Sequence, residues 1–311
     1  MPIDPTIAYR RTRQFSGSGP TITPAKAKAV ATSLRQCAAA APDIVASVTK
    51  LHDVTETVAA TPVAVLARPG WAQAAAISAA PLIEEFTNGG RIGNRLVSEE
   101  MAGALAFLAP RILGQYDPFA LTAIPGQGLP IPGRLLLVAP NVWEFASEWN
   151  LDSRDVQLFV CVHEFTHAFQ FTAAPWLKDV LIAKVRLVID AIDDGFEEDA
   201  LDDLLALMAV LEGHAEYVMN TVPIARIPSR KRITAAVAAR RGAGSNLARF
   251  ANRLLGVDLK LDQYRDGEKF VSTVIRERGH DGLNTLWQNP LYVPDVNELK
   301  DPHSWIARVL S

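Results

Sequence analysis

The stretch His163-Glu164-Phe165-Thr166-His167 follows a run of apolar residues and carries two histidines four positions apart. Four residues turn an α-helix by about 400°, so both imidazoles project from one face, one turn apart. Two ligands of a tetrahedral zinc ion need this separation. Glu164 flanks the same face, where it is placed to take a proton from a metal-bound water rather than to bind the metal. The pattern predicts a Zn²⁺ site with His163 and His167 as ligands.

Apolar neighbours on both sides of the motif indicate that its helix is buried. Asp152 or Ser153 is a suitable first residue or cap for this helix, which we expect to run to about Phe171 before Pro175 stops it. Two histidines and a glutamate would be costly in such surroundings without partners. Burial therefore favours a metal site over a fortuitous match to the motif.

A catalytic zinc takes three protein ligands and keeps one position open. We expect the third ligand to be Glu212, which lies 45 residues beyond His167 on another predicted helix. Glu216, one turn further on, is expected to accept the outer N–H of a ligand histidine and so to fix its tautomer. His214 competes with Glu212 for the metal, but it lies about 200° round the helix from it, so both cannot face one ion. We therefore place His214 beside the site and Glu212 on the metal.

Gly213 stands next to the predicted ligand Glu212 and carries no side chain. The missing bulk predicts a close approach of its helix to the helix of His163 and His167.

Several further segments accompany the histidine motif. They are Gly114-Gln115-Tyr116-Asp117-Pro118, Gly133-Arg134-Leu135-Leu136-Leu137-Val138 with Pro140-Asn141, Gln170-Phe171, Pro175-Trp176-Leu177, Glu212-Gly213-His214-Ala215-Glu216, and Gln263-Tyr264 with Gly267 and Phe270. With them, the chain resembles zincins of the glutamate-ligand type. More narrowly, from about residue 5 to its end, it resembles a family of zincin-like, zinc-dependent metallopeptidases of actinobacteria and Chloroflexi.

The resemblance implies a helical N-terminal region in front of a zincin-like catalytic part. Some members of the family are labelled as associated with deazaflavin coenzyme biosynthesis, a label that supplies no substrate. In zincin-like folds a strand beside the metal helix can pair with an extended peptide. The short apolar run 134–139 is either such an edge strand or an ordinary buried strand.

The predicted fold is mainly α (α+β), with a small β-sheet. Residues 1–24 are predicted to form an irregular arm, 25–112 a region of four or five helices broken near Pro42 and Pro62, and 113–311 the zincin-like catalytic domain. Within the latter, 114–132 is predicted to be irregular and 134–139 a strand. Helices are expected at about 176–191 and 196–220, and the remainder from 229 is again mainly helical.

Metallopeptidases need a donor for the oxyanion that develops during hydrolysis. Tyr264 is our candidate, because a tyrosine hydroxyl can donate to an oxyanion. His214, His280 and Arg265 are alternatives.

Composition excludes several classes of protein. A formal net charge of −3 gives no field that would attract nucleic acid or an anionic membrane surface. No run of about 18 apolar residues is present, so a transmembrane helix is not expected. Two cysteines, Cys37 and Cys161, are too few for a zinc finger or a disulfide framework and suit a reducing, cytoplasmic compartment. The sequence contains no indication of the oligomeric state.

These features predict a zinc-dependent metallopeptidase-type hydrolase. Glu164 is the expected general base and proton shuttle to the leaving amine, and a peptide or small amide is the expected substrate. Three alternatives stay open: a zinc-stabilised binding or scaffold protein of zincin fold, a metal-free helical interaction module, and a metallohydrolase that acts on a small molecule.

Overall fold

The computed structural model describes residues 4–17, 19–86, 91–122, 131–194, 198–242 and 265–311. Within them the chain is mainly α-helical, as predicted, with one small sheet. The first half contains α1 (Pro5–Phe15), α2 (Pro24–Thr49), α3 (Thr55–Ala59), β1 (Val63–Leu66), α4 (Arg68–Phe86), α5 (Arg91–Leu108), β2 (Gly114–Thr122), β3 (Ile131–Val138) and α6 (Ala139–Glu148). The second half contains α7 (Ser153–Ala173), α8 (Leu177–Asp194), α9 (Glu198–Thr221), α10 (Arg230–Gly242), α11 (Arg265–Asn284), α12 (Val296–Lys300) and α13 (Pro302–Val309).

The three strands form a mixed sheet in the order β1-β3-β2. β3 pairs in parallel with β1, where Leu135 lies opposite Val63, and antiparallel with β2, where Leu135 lies opposite Tyr116. Residues 135–138 of β3 are completely buried, so both faces of the central strand are covered. The predicted strand is therefore the middle of the sheet, and its interpretation as a peptide-binding edge is wrong. β2 is the outer strand on that side among the described residues.

Two of the three strands were missed in the sequence. β1 is a short apolar run between prolines, the same pattern that predicts β3, whereas we expect a break between helices there. β2 contains Gly114 and Pro118, which argued against a strand. Its register against β3 shifts between Asp117 and Leu121, and this irregularity accommodates Pro118, which has no N–H to donate.

The N-terminal segment is a helix rather than the predicted irregular arm. The Asp4 carboxylate accepts the Thr6 N–H at 2.8 Å, and Pro5 occupies the first turn, where its missing N–H costs nothing. Ile7 and Ala8 are buried, and burial of this face provides the stabilisation that the local composition lacks.

Helix α2 also departs from expectation, because it continues through Pro42. A proline inside a helix costs about 3 kcal/mol. Ala38, Ala41 and Val45, on both sides of Pro42, are buried, and their packing offsets that cost.

The chain divides into two compact units that interleave along the sequence. The first comprises residues 1–41, 60–164 and 227–246, and the second comprises 42–59, 165–226 and 247–311. The predicted boundary at residues 112 and 113 does not separate them. One division falls inside the continuous helix α7, after Glu164.

The first unit contains the sheet, and a partly buried ion pair joins two of its strands. Arg134 of β3 donates from Nε to Oδ2 of Asp117 of β2 at 3.0 Å, and Asp117 is almost completely buried. Arg134 also donates to the Ala74 carbonyl of α4, so the sheet and this helix share one polar contact.

The second unit has a core of its own, in which α9 and α11 pack closely. The Cβ that a side chain at Gly213 would add lies 2.2 Å from the Gly267 carbonyl carbon, and one at Gly267 lies 1.9 Å from the Ala209 carbonyl oxygen. Gly213 therefore permits a close approach to α11, whereas we expected one to α7. Around this contact the core includes Leu207, Leu211, Phe270, Val274, Trp287 and Trp305. None of the described helices is both long and apolar enough to cross a membrane.

Candidate metal centre

Helix α7 positions the histidine motif as predicted. The helix begins at Ser153, and the Asp152 carboxylate accepts the Asp155 N–H at 2.9 Å, which caps its first turn. Phe165 and Phe169 are almost completely buried on one side, while His163 and His167 are partly exposed on another. Burial of its apolar side thus determines which face of α7 presents the two imidazoles.

The structure brings His163, His167 and Glu212 together. Each offers one ligand atom, and the three atoms all lie within 4.8 Å of one another. His167 Nε2 lies 3.7 Å from Glu212 Oε1. Two ligand atoms at about 2.0–2.1 Å from a tetrahedral zinc are separated by about 3.3 Å, so this spacing suits one shared ion.

Gln170 contacts His167 from behind the site. Its Oε1 lies 2.9 Å from His167 Nδ1, and its Nε2 donates to the Leu211 carbonyl of α9 at 2.8 Å. The same Nε2 lies 3.2 Å from Nδ1 of His214. Gln170 is completely buried, so these three contacts replace the water that its amide loses on folding.

His214 lies on α9 and is not among the three clustered residues. It is 1% exposed, its ring centroid lies 5.4 Å from that of Trp287, and its Nδ1 faces Gln170. Burial is the largest cause that lowers its pKa to about 3, so the imidazole is neutral at physiological pH. His214 therefore supports the group that contacts His167.

Glu216 does not contact the outer nitrogen of His167, one of the two ligand histidines that the prediction covers. Its side chain is exposed, and Gln170 Oε1 takes the position at His167 Nδ1. Glu216 lies near Glu268 of α11, whose pKa is raised by burial and then by the Glu216 charge. Its predicted hydrogen bond to the other ligand histidine, His163, stays a prediction.

Glu164 contacts strand β2. Its Oε2 accepts the backbone N–H of Tyr116 at 2.9 Å, and its side chain is mostly buried. A Cβ at Gly114 would lie 2.7 Å from Glu164 Cγ, so the carboxylate approaches this strand only because residue 114 has no side chain. The backbone of strand β2 thus holds Glu164, the predicted base.

Four residues are candidates for the oxyanion donor: Tyr264, His214, His280 and Arg265. Tyr264 lies outside the described residues, and so does the Arg265 side chain. His280 lies on α11, its Nδ1 is buried without a hydrogen-bond partner among the described residues, and its ring faces Tyr217 at 6.1 Å. No described contact joins His280 to the ligand cluster.

Two elements of this site were missed in the sequence. Gln170 lies three residues after His167, and residues at this spacing are neighbours on a helix surface, so its contact was open to prediction. The Tyr116 N–H carries no sequence signal, because every residue except proline has one.

The donor chemistry fits a metal ion. The Leu211 carbonyl can only accept, so Gln170 Nε2 donates to it and Gln170 Oε1 is left to accept from His167 Nδ1–H. A neutral His167 then presents a lone pair on Nε2 toward the Glu212 carboxylate. Two acceptors that face each other repel, and a shared cation relieves this repulsion. Two imidazoles and a carboxylate form a set that catalytic zinc uses.

Comparisons with known proteins agree with this geometry. The family described as zincin-like metallopeptidase matches residues 3–198 and 188–306. A protein of Chloroflexus aurantiacus, whose crystal structure is described as "a putative hydrolase with a novel fold", is 28% identical with a TM-score of 0.73. The similarity covers 98% of each chain. No curated protein matches.

Proposed function

This chain belongs to the zincin-like metallopeptidase family, and we propose that it is a zinc-dependent metallopeptidase that hydrolyses a peptide bond. One observation carries the proposal: His163, His167 and Glu212 converge while Glu164 stands beside His163 on the same helix. A family that implies a metal and a similar structure described as "a putative hydrolase" both support this interpretation.

Zinc held by His163, His167 and Glu212 would supply a water ligand of lowered pKa and an electrophile for the scissile carbonyl. In this scheme Glu164 takes the proton from the attacking water and gives it to the leaving amine. An ionised carboxylate has about four lone-pair sites, so acceptance of the Tyr116 N–H leaves Glu164 able to receive a proton. Burial of the Glu164 side chain keeps its position fixed during both proton transfers.

A cytoplasmic location is part of the proposal. Cys37 and Cys161 are both buried and unpaired with each other. Burial raises the pKa of both thiols, which keeps them protonated and unreactive. Unpaired thiols of this kind suit a reducing compartment.

The test is hydrolysis of a peptide library by zinc-loaded protein, read by mass spectrometry, for wild type and Glu164→Gln. We expect Glu164→Gln to bind zinc like wild type but to lose about 10²–10⁴-fold in kcat, which is the contribution of a general base. Glu56→Gln, at an exposed glutamate of helix α3, is the matched control and should keep full activity.

Three results would contradict the proposal. A zinc-loaded wild type that cleaves no peptide, but does cleave a small amide, would indicate a small-molecule metallohydrolase. A zinc-loaded wild type that cleaves neither would indicate a scaffold protein. Equal activity of wild type and Glu164→Gln would remove Glu164 from the chemistry.

A further inference from the structure

The Gln170 side chain contacts a predicted ligand, the segment that carries another, and His214 at the same time. Its amide spans Nδ1 of His167 on α7, the Leu211 carbonyl on α9 and Nδ1 of His214. Gln170 and His214 are each at most 1% exposed, so water does not compete for these contacts. A buried network of this kind has a defined pattern of donors and acceptors.

The Leu211 carbonyl fixes the donor and the acceptor of every hydrogen bond in this network. Because a carbonyl oxygen only accepts, the amide nitrogen of Gln170 must face Leu211, and its oxygen must face His167. His167 therefore carries its proton on Nδ1. The second N–H of the same amide points to His214 Nδ1, which must accept, so the His214 proton lies on Nε2.

The contact with Leu211 adds a link between two helices. Leu211 directly precedes Glu212, so the amide of Gln170 anchors the turn of α9 that carries the third ligand. The same side chain orients the His167 ring through the opposite end of its amide. One residue thus sets the ring orientation of His167 and the position of Glu212 relative to it.

We propose that Gln170, supported by His214, is a positioning residue that selects the His167 tautomer with a free Nε2 lone pair and anchors the α9 segment of Glu212. This inference rests on the metal site of the proposed function. Partners behind a ligand histidine typically change metal affinity by about 10–100-fold. Gln170 acts through His167 and Glu212 and is not itself a ligand.

The first test compares zinc affinity of wild type, Gln170→Met and Gln157→Met by competition with a chromogenic chelator. Methionine keeps the length of glutamine and removes its hydrogen bonds. Gln157 is the matched control, because it is also a buried glutamine on α7 but its amide contacts Ser153 and Cys37. We expect Gln170→Met to weaken zinc binding about 10–100-fold and Gln157→Met to leave it unchanged.

The second test reads the tautomers directly in metal-free wild type, so it does not depend on whether a variant folds. Imidazole ¹⁵N spectra of histidine-labelled protein near pH 8 distinguish a proton on Nδ1 from one on Nε2. We expect His167 protonated on Nδ1 and His214 on Nε2. Signals are assigned by loss of each in His167→Asn and His214→Asn.

The outcomes separate this inference from the proposed function. Wild type that binds no zinc would contradict the metal site, whereas the tautomer spectrum would still test the network. Zinc-binding wild type with equal affinity in Gln170→Met would overturn the role of Gln170 alone. A His167 proton on Nε2, or a His214 proton on Nδ1, would overturn the network.

Discussion

His167 and Glu164 lie three residues apart on one helix, yet the structure holds them by different means. The Gln170 side chain contacts the His167 imidazole through its amide oxygen. Its amide nitrogen donates to the carbonyl of Leu211, the residue before Glu212. A backbone N–H of strand β2 holds the Glu164 carboxylate, beside a glycine that leaves room for it. In the proposed function, metal binding and proton transfer would therefore depend on separate contacts, one to Gln170 and one to strand β2.

This difference has a consequence for mutagenesis. Changes in the packing of α9 should weaken the metal site, whereas changes in the backbone of β2 should lower turnover and leave zinc in place. The two regions are distinguishable because zinc content and kcat are measured independently.

The largest effect is expected at the contact that positions α9. Gly267→Ala would place a methyl group 1.9 Å from the Ala209 carbonyl oxygen, and backbone on both sides cannot move aside as a side chain would. We expect a loss of about 3 kcal/mol or more in the free energy of unfolding, measured by urea denaturation, together with weaker zinc binding.

Gly103→Ala is the control for this substitution, because a Cβ at Gly103 in helix α5 meets no atom within 4 Å. It should be neutral or stabilise the protein by up to about 1 kcal/mol. Wild-type stability in Gly267→Ala would show that the α9 and α11 backbones are further apart than described.

A smaller effect is expected on the strand side. Tyr116→Pro removes the backbone N–H that donates to Glu164. Strand β3 loses no hydrogen bond from this change, because the Tyr116 N–H points to Glu164. Since one hydrogen bond to a charged group is worth about 1.5–3 kcal/mol, we expect kcat to fall about 10–100-fold with one zinc per chain retained. Steady-state kinetics with elemental analysis measures both.

Tyr116→Ala separates the N–H from the side chain, because it removes the same phenol and keeps the donor. It should retain most of the activity that Tyr116→Pro loses. Equal losses in the two variants would assign the effect to packing of Tyr116 rather than to its backbone.

Sequence alone predicts the features that depend on residues close to one another in the chain. The common face of His163 and His167 and the position of Glu212 follow from helical periodicity, and the cap at Asp152 or Ser153 follows from residue type. Gln170 is not predicted as the partner of His167, because only tertiary packing buries its amide against that imidazole, and the prediction for Glu216 names a ligand histidine without choosing one. Strand β2 and its contact with Glu164 depend on tertiary pairing that outweighs Pro118.

The central claim is that His163, His167 and Glu212 bind one zinc ion, and metal content tests it most directly. Elemental mass spectrometry of untagged protein, purified without chelator, would compare wild type, Glu212→Ala and the exposed-residue control Glu56→Ala. We predict about one zinc per chain in wild type and in Glu56→Ala, as expected for a single site, and a clear loss in Glu212→Ala. Full zinc in Glu212→Ala, or no zinc in wild type after zinc is added, would contradict the account.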